Sequence, residues 1–236
     1  MLKPGTVAKP NARGRTTYHR SLTGWISKRQ VRGILGGLFT FGFLFLIPNL
    51  ACAKTSATAP MTASSFWNHY LPHHATYIQD GHAGPMIYDF QDPNCPYCHF
   101  LYEQEAPLIR AGKLTVRYVP VAFLTPESPA EAAAWLQSPH PLQALKHFET
   151  IVAPALRSGS YRTLPKATPT AATRKVLQQN IEIMDESGFE GTPAILFRAK
   201  NGQIGRIPGA IPEKQLARLL PHLWVGKPNS VVSTRK

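Results

Sequence analysis

Asp92-Pro93-Asn94-Cys95-Pro96-Tyr97-Cys98-His99 is the stretch on which the reading of this chain turns. Met86-Ile87-Tyr88-Asp89-Phe90 precedes it, an apolar run short enough for a buried strand. Phe100, Leu101, Leu108 and Ile109 follow at helical spacing, up to a stop near Ala111-Gly112. Pro96 suits a first helical position, where no N–H is needed. Cys95 therefore falls at the mouth of a helix. Unpaired N–H groups and the positive end of the macrodipole favour a thiolate there. Cys98, three residues on, shares the first turn and can resolve a mixed disulfide formed by Cys95.

The chain of 236 residues has three cysteines and a formal charge of +13. Residues 1–53 hold eight of the basic residues and no acid. Without them eighteen basic residues face thirteen acidic ones, which is no nucleic-acid-binding stripe. Gly33 to Ile47 is a continuous apolar run with a basic flank, followed by Ala51-Cys52-Ala53. Fifteen residues are short for a bilayer span, and the three parts match a secretory signal. Residues 1–53 are thus expected to be a basic N-terminus and signal. The remainder is then expected to be exported, with Cys52 lost along with the signal. An uncleaved anchor, or lipid on Cys52, is the alternative.

Residues 54–83 read as a small-residue linker with a short helix capped by Ser64 or Ser65. Residues 84–224 read as one catalytic domain, and 225–236 as a disordered tail. Within the domain, Leu114–Ala122 is expected as a second strand and Thr192–Phe197 as a third. Gln203–Ile207 is the fourth, paired back through Asn201-Gly202. A helical block at about 126–187 is expected between the second and third strands, and Pro212 opens a last helix. Strand-helix-strand joined to a hairpin and a final helix is an α/β thioredoxin-like plan, here with a helical insertion.

Other readings of the pair compete. A structural disulfide closing so small a loop constrains the unfolded chain little. A zinc site needs more ligands than one C-x-x-C, and no metal site is expected. Cys95, Cys98 and His99 also satisfy the attachment pattern of a c-type haem. A client-binding chaperone with a non-essential cysteine pair is the alternative from the binding class. His73, His74 and His82 read as surface residues, Trp135 and Phe148 as packing of the insert.

Asp92-Pro93-Asn94-Cys95-Pro96-Tyr97-Cys98, with Pro107, Gly112-Lys113, Pro126-Glu127-Ser128-Pro129-Ala130 and Asn180 to Ile195, resembles the catalytic domain of the DsbG/DsbC periplasmic thiol:disulfide interchange family. The resemblance covers about residues 64–222 and is closer to DsbG. It implies a protein-disulfide reductase or isomerase acting on protein disulfides or sulfenic acids. Its clients would be exported proteins with cysteines, and a membrane thiol reductase would keep the pair reduced. The redox-active Cys95-Cys98 pair replaces any small-molecule cofactor. The resemblance also implies a cis bond at Thr192-Pro193 facing the cysteines. Thr192, Pro193, Pro96 and Tyr97 then contact substrate.

Two departures stand out. About thirty residues separate Ala53 from the first thioredoxin strand, too few for the family's dimerisation domain, so a monomer is expected. Asp89 occupies a core-strand position where DsbG has an apolar residue, and resembles the buried aspartate of thioredoxin. Asp89 is expected to act as general base toward Cys98. A solvent-exposed aspartate at a strand end is the alternative.

Overall fold

A computed structural model describes residues 61–158 and 164–226. The basic N-terminus, the signal, Cys52, most of the small-residue linker and nearly all of the C-terminal tail lie outside the described residues. Among the described residues no helix is long and apolar enough to cross a membrane.

The described residues belong to one compact unit, built on a five-stranded sheet. Its strands are β1 (Ile78–Asp80), β2 (Met86–Gln91), β3 (Thr115–Pro120), β4 (Ala194–Arg198) and β5 (Ile204–Pro208). They lie in the order β1-β3-β2-β4-β5. β2 and β3 are parallel, and the other neighbours are antiparallel. A parallel pair needs a crossover, which helix α3 (Pro96–Arg110) supplies. β2 is central and buried on both faces, hence its apolar run.

Strand residues alternate between two cores. Ile87, Val116, Tyr118 and Ile195 face one, with Leu101 and Leu108 of α3. Tyr88, Phe90, Val119, Ala194 and Leu196 face the other, with Trp67, Leu71, Ile183 and Met184. Among the described residues, three helices lie between β3 and β4, namely α4 (Ser128–Leu136), α5 (Pro141–Ser158) and α6 (Ala171–Glu186). Trp135 of α4 packs edge-on against Phe148 of α5, with ring centroids 5.0 Å apart, inside the first core. Pro212 caps the last helix, α7 (Glu213–Leu219).

Two expectations need correcting. The linker contributes a strand, because Ile78–Asp80 pairs antiparallel with β3 at Ile78↔Tyr118. The sheet therefore begins before residue 84 and has five strands. Three residues carry too little alternation to announce a strand, and pairing alone makes this one. The linker helix starts at Thr62, whose hydroxyl accepts from the Ser65 N–H at 3.1 Å, and not at Ser64 or Ser65. From there α1 (Ala63–Ser65), a π turn (Phe66–Tyr70) and α2 (Leu71–His74) run on. His73, His74 and His82 are exposed.

Asn180 of α6 fastens the linker to the sheet. Its side-chain oxygen accepts from Thr76 N at 3.0 Å. Its NH₂ donates to Thr76 O at 2.9 Å and to Pro120 O at 2.8 Å. The residue is fully buried, so its loss leaves backbone groups unpaired in a dry place. Asn180→Ala is expected to lower stability by about 1–3 kcal/mol in denaturant unfolding.

Candidate active site

β2 delivers the chain to Asp92, and α3 starts at Pro96. Cys95 is the N-cap of α3. Its sulfur accepts from the Cys98 N–H at 3.2 Å, and its carbonyl accepts from Cys98 N at 3.1 Å and His99 N at 3.3 Å. The local sequence explains this geometry. Pro96 has no N–H to satisfy at the first helical position, and the short side chain of Cys95 takes the place of a capping hydroxyl.

Both cysteines are free thiols, and both are buried. Cys95 thiol donates to the carbonyl oxygen of Thr192 at 3.4 Å. The Thr192-Pro193 bond is cis, and Pro193 is buried. The segment before β4 thus closes over the sulfur from the opposite side. Tyr97 stands 69% exposed beside the pair, with Phe100 partly exposed on the next turn. Pro96 is exposed as well.

The two sulfurs are in opposite electrostatic situations. The Cys98 thiol, donating toward Cys95, is the largest influence that brings the Cys95 pKa down to about 7. The Thr192 hydroxyl and the backbone N–H groups of Cys98 and Tyr97 act the same way, against burial. Burial pushes Cys98 well above the ordinary thiol range, and the charges of Cys95 and Asp89 add to that. One sulfur is a thiolate near neutral pH while the other keeps its proton.

Asp89 is fully buried, so the exposed alternative does not hold. It lies opposite Tyr118 on β3 and Ile195 on β4, on the face covered by α3. Burial first, then the charges of Cys95 and Glu149, hold its carboxyl well above the usual range. His99 turns away from solvent: its Nδ1 is 2.7 Å from Glu149 Oε2, and its Nε2 is 3.4 Å from Glu103 Oε1.

The structure adds two features that the sequence reading did not assign. The first is Asp92. Its Oδ1 accepts from Asn94 N at 2.9 Å and from Ser128 Oγ at 2.7 Å. Its Oδ2 accepts from Phe123 N at 2.8 Å and Leu124 N at 3.0 Å. Asn94 Nδ2 donates to Ser128 Oγ and to Glu131 of α4. One carboxylate thus ties the cysteine loop to the start of the helical insertion. It also presents Phe123 and Leu124, both partly exposed. The visible signal was the joint presence of Asp92-Pro93 and Pro126-Glu127-Ser128-Pro129. The second feature is Glu105, fully buried on α3.

The thioredoxin-like domain family model matches residues 73–224. Two curated relatives are thiol:disulfide interchange proteins DsbG. The one from Pseudomonas aeruginosa is 38% identical over 149 residues, 62% of this chain and 56% of the relative. The one from Escherichia coli is 33% identical over 134 residues, 57% of this chain and 52% of the relative. The chain spans about half the length of these relatives. Among solved structures, the catalytic domain of Proteus mirabilis ScsC superposes with a TM-score of 0.50 at 21% identity, over 68% of this chain and 97% of that one. That likeness concerns the fold.

The electrostatics are directly measurable. Thiolate absorbance of the reduced protein is expected to titrate with a midpoint at about 7, belonging to Cys95. Cys98→Ala removes the largest stabilising influence, so the midpoint is expected to move upward, toward the ordinary thiol range.

Proposed function

The chain belongs to the thioredoxin-like domain family, with a domain similar to that of the DsbG proteins, and on that premise we propose that it is an exported thiol:disulfide oxidoreductase. Its substrates are disulfides or cysteine sulfenic acids of other exported proteins. The observation that carries this reading is the division of labour between the sulfurs. Cys95 is poised as thiolate at about pH 7, and Cys98 holds its proton above a buried carboxyl.

In reduction, the Cys95 thiolate attacks one sulfur of a substrate disulfide. The substrate S–S bond breaks, a Cys95–substrate disulfide forms, and the other substrate sulfur leaves as thiolate. Cys98 then attacks Cys95, giving its proton to the Asp89 carboxylate. The substrate leaves with two electrons, and the Cys95–Cys98 disulfide remains. Asp89 is well placed in kind: a buried carboxyl of raised pKa matches a proton to be taken near neutral pH. We assign the Thr192 carbonyl, 3.4 Å from the Cys95 sulfur, and the neighbouring Pro193 to docking of an extended substrate backbone. Tyr97 and Pro96 offer exposed surface for the same substrate. Each cycle needs two electrons and two protons from a donor, for which a membrane thiol reductase is the partner we propose.

Trapping tests the reading. Cys98→Ala is expected to accumulate a mixed disulfide with a disulfide-bearing substrate, and Cys95→Ala none. Aggregation suppression without any disulfide exchange, surviving Cys95→Ala, would support a client-holding protein instead. A redox titration in glutathione buffers then reports the direction of electron flow, reductase-like at low potential and oxidase-like at high.

Asp89 must be ionised to accept a proton, so the resolving step speeds up as pH rises through its raised pKa. Asp89→Asn is expected to slow that step on the order of 100-fold and to abolish this limb of the pH profile. An unchanged profile would remove Asp89 from the mechanism.

A further inference from the structure

The buried stripe of α3 is Cys98, Leu101, Glu105 and Leu108. This spacing puts all four on one face, turned toward the sheet. The sheet face that meets it carries Ile87, Asp89, Val116, Tyr118 and Ile195. Two carboxyls therefore enter one apolar layer directly behind the dithiol, one from the helix and one from the strand. Both residues are fully buried. Among the described residues, no oxygen of the Asp89 carboxyl has a hydrogen-bond partner. A packing role alone would be better served by leucine at position 105, where the stripe calls for an apolar side chain.

We propose that Glu105 is a positioning residue for proton transfer, sharing the layer with Asp89 as a coupled acid pair that carries at most one negative charge near neutral pH, and so poising Asp89 as the proton acceptor of the dithiol. The inference rests on the reading of Cys95 and Cys98 as a redox pair.

The physical reason is the dry surroundings. Two carboxylates in one low-dielectric layer repel strongly, so the second ionisation is driven up and the two titrate as a unit. Burial, then the charge of Asp89, pushes Glu105 well above the usual carboxylate range. The repulsion is mutual: the one charge divides between the two acids, and the share that Glu105 holds keeps Asp89 protonated.

The other groups facing the pair come from every element around it. From α3, Cys95 acts on Asp89, and Asp89 acts on Cys98. From β3, the Tyr118 hydroxyl adjoins both acids; it lowers Glu105 by hydrogen bonding, against the other influences, and its own pKa is pushed well up by burial and by their charges. From α5, Glu149 raises both acids, and from β1, Asp80 raises Glu105. The nearest basic side chains go to the outer acids: Lys146 Nζ is 2.8 Å from Asp80, and the His99 ring lies against Glu149. Tyr102, raised to about 12, adds no negative charge at neutral pH.

The experiment compares the wild type with Glu105→Gln, Glu105→Leu and Glu105→Asp. The first readout is the titration of the Asp89 carboxyl carbon by NMR in the reduced protein, which needs no substrate. The second is the pH profile of the resolving step. Glu105→Gln removes the competing charge, so the Asp89 midpoint and the matching limb of the profile are expected to fall together by about one pH unit. Glu105→Leu is expected to do the same and keeps the layer apolar should the amide disturb folding. Glu105→Asp retains the charge and is expected to retain the wild-type midpoint. An Asp89 titration that is the same in Gln and Leu variants as in wild type would overturn the proposal, as would an upward shift. A fallen Asp89 midpoint in a protein that reduces no disulfide would support the coupled pair and overturn the function above.

Discussion

The Asp92 carboxylate is the interaction on which the site depends. Its four hydrogen-bond partners come from three places: the cysteine loop, the loop after β3, and the first turn of α4. A carboxylate accepts several bonds at once, and bonds to a charged acceptor are stronger than neutral ones. One buried side chain can therefore hold a loop, a backbone turn and a helix start in a single arrangement. The position of Cys95 at the mouth of α3 follows from that anchoring. So does the placing of Phe123 and Leu124 on the exposed side of the same network.

Behind the sulfurs the chemistry is set by what water cannot reach. The thioredoxin-like architecture lays α3 over the β2–β3 pair and leaves an apolar layer between them. Any charge placed there changes the proton affinity of every neighbour, because little screens it. Asp89 and Glu105 both stand in that layer, and Glu149 borders it. The thiolate of Cys95 lies at the helix end, where backbone donors stabilise it. Cys98 lies one turn deeper, on the acid side. The difference between two sulfurs three residues apart is thus one of surroundings: donors converge on Cys95, while Cys98 is buried beside the charges of Cys95 and Asp89.

Much of this was legible in the order of residues. The apolar run before Cys95, the proline after it and the helical spacing beyond imply strand, thiolate and helix from local physics. Met86–Phe90, Leu114–Ala122, Thr192–Phe197 and the Asn201-Gly202 hairpin were each readable for the same reason. Strand β1 was not, because three residues have no period to detect and Ile78–Asp80 becomes a strand only by pairing with β3. The helix start at Thr62 was missed by two or three residues, since several neighbouring small polar residues could equally cap it. The burial of Asp89 stayed open because a strand residue next to an edge and one beneath a helix have the same local pattern.

The sequence by itself determined the dithiol, its place at a helix start and the type of fold around it, since these rest on spacings of a few residues and on the conformational limits of proline and glycine. Only the tertiary structure decided what the dithiol sits upon. Glu105 lies ten residues from Cys95 and Asp89 six, and neither distance says that both share a face with Cys98. That follows from packing α3 across β2, which brings side chains from different elements into one dry layer. The Asp92-Pro93-Asn94-Cys95 stretch likewise shows an aspartate before a proline. That this carboxylate clasps Ser128, thirty-six residues further on, is a fact of the folded chain alone.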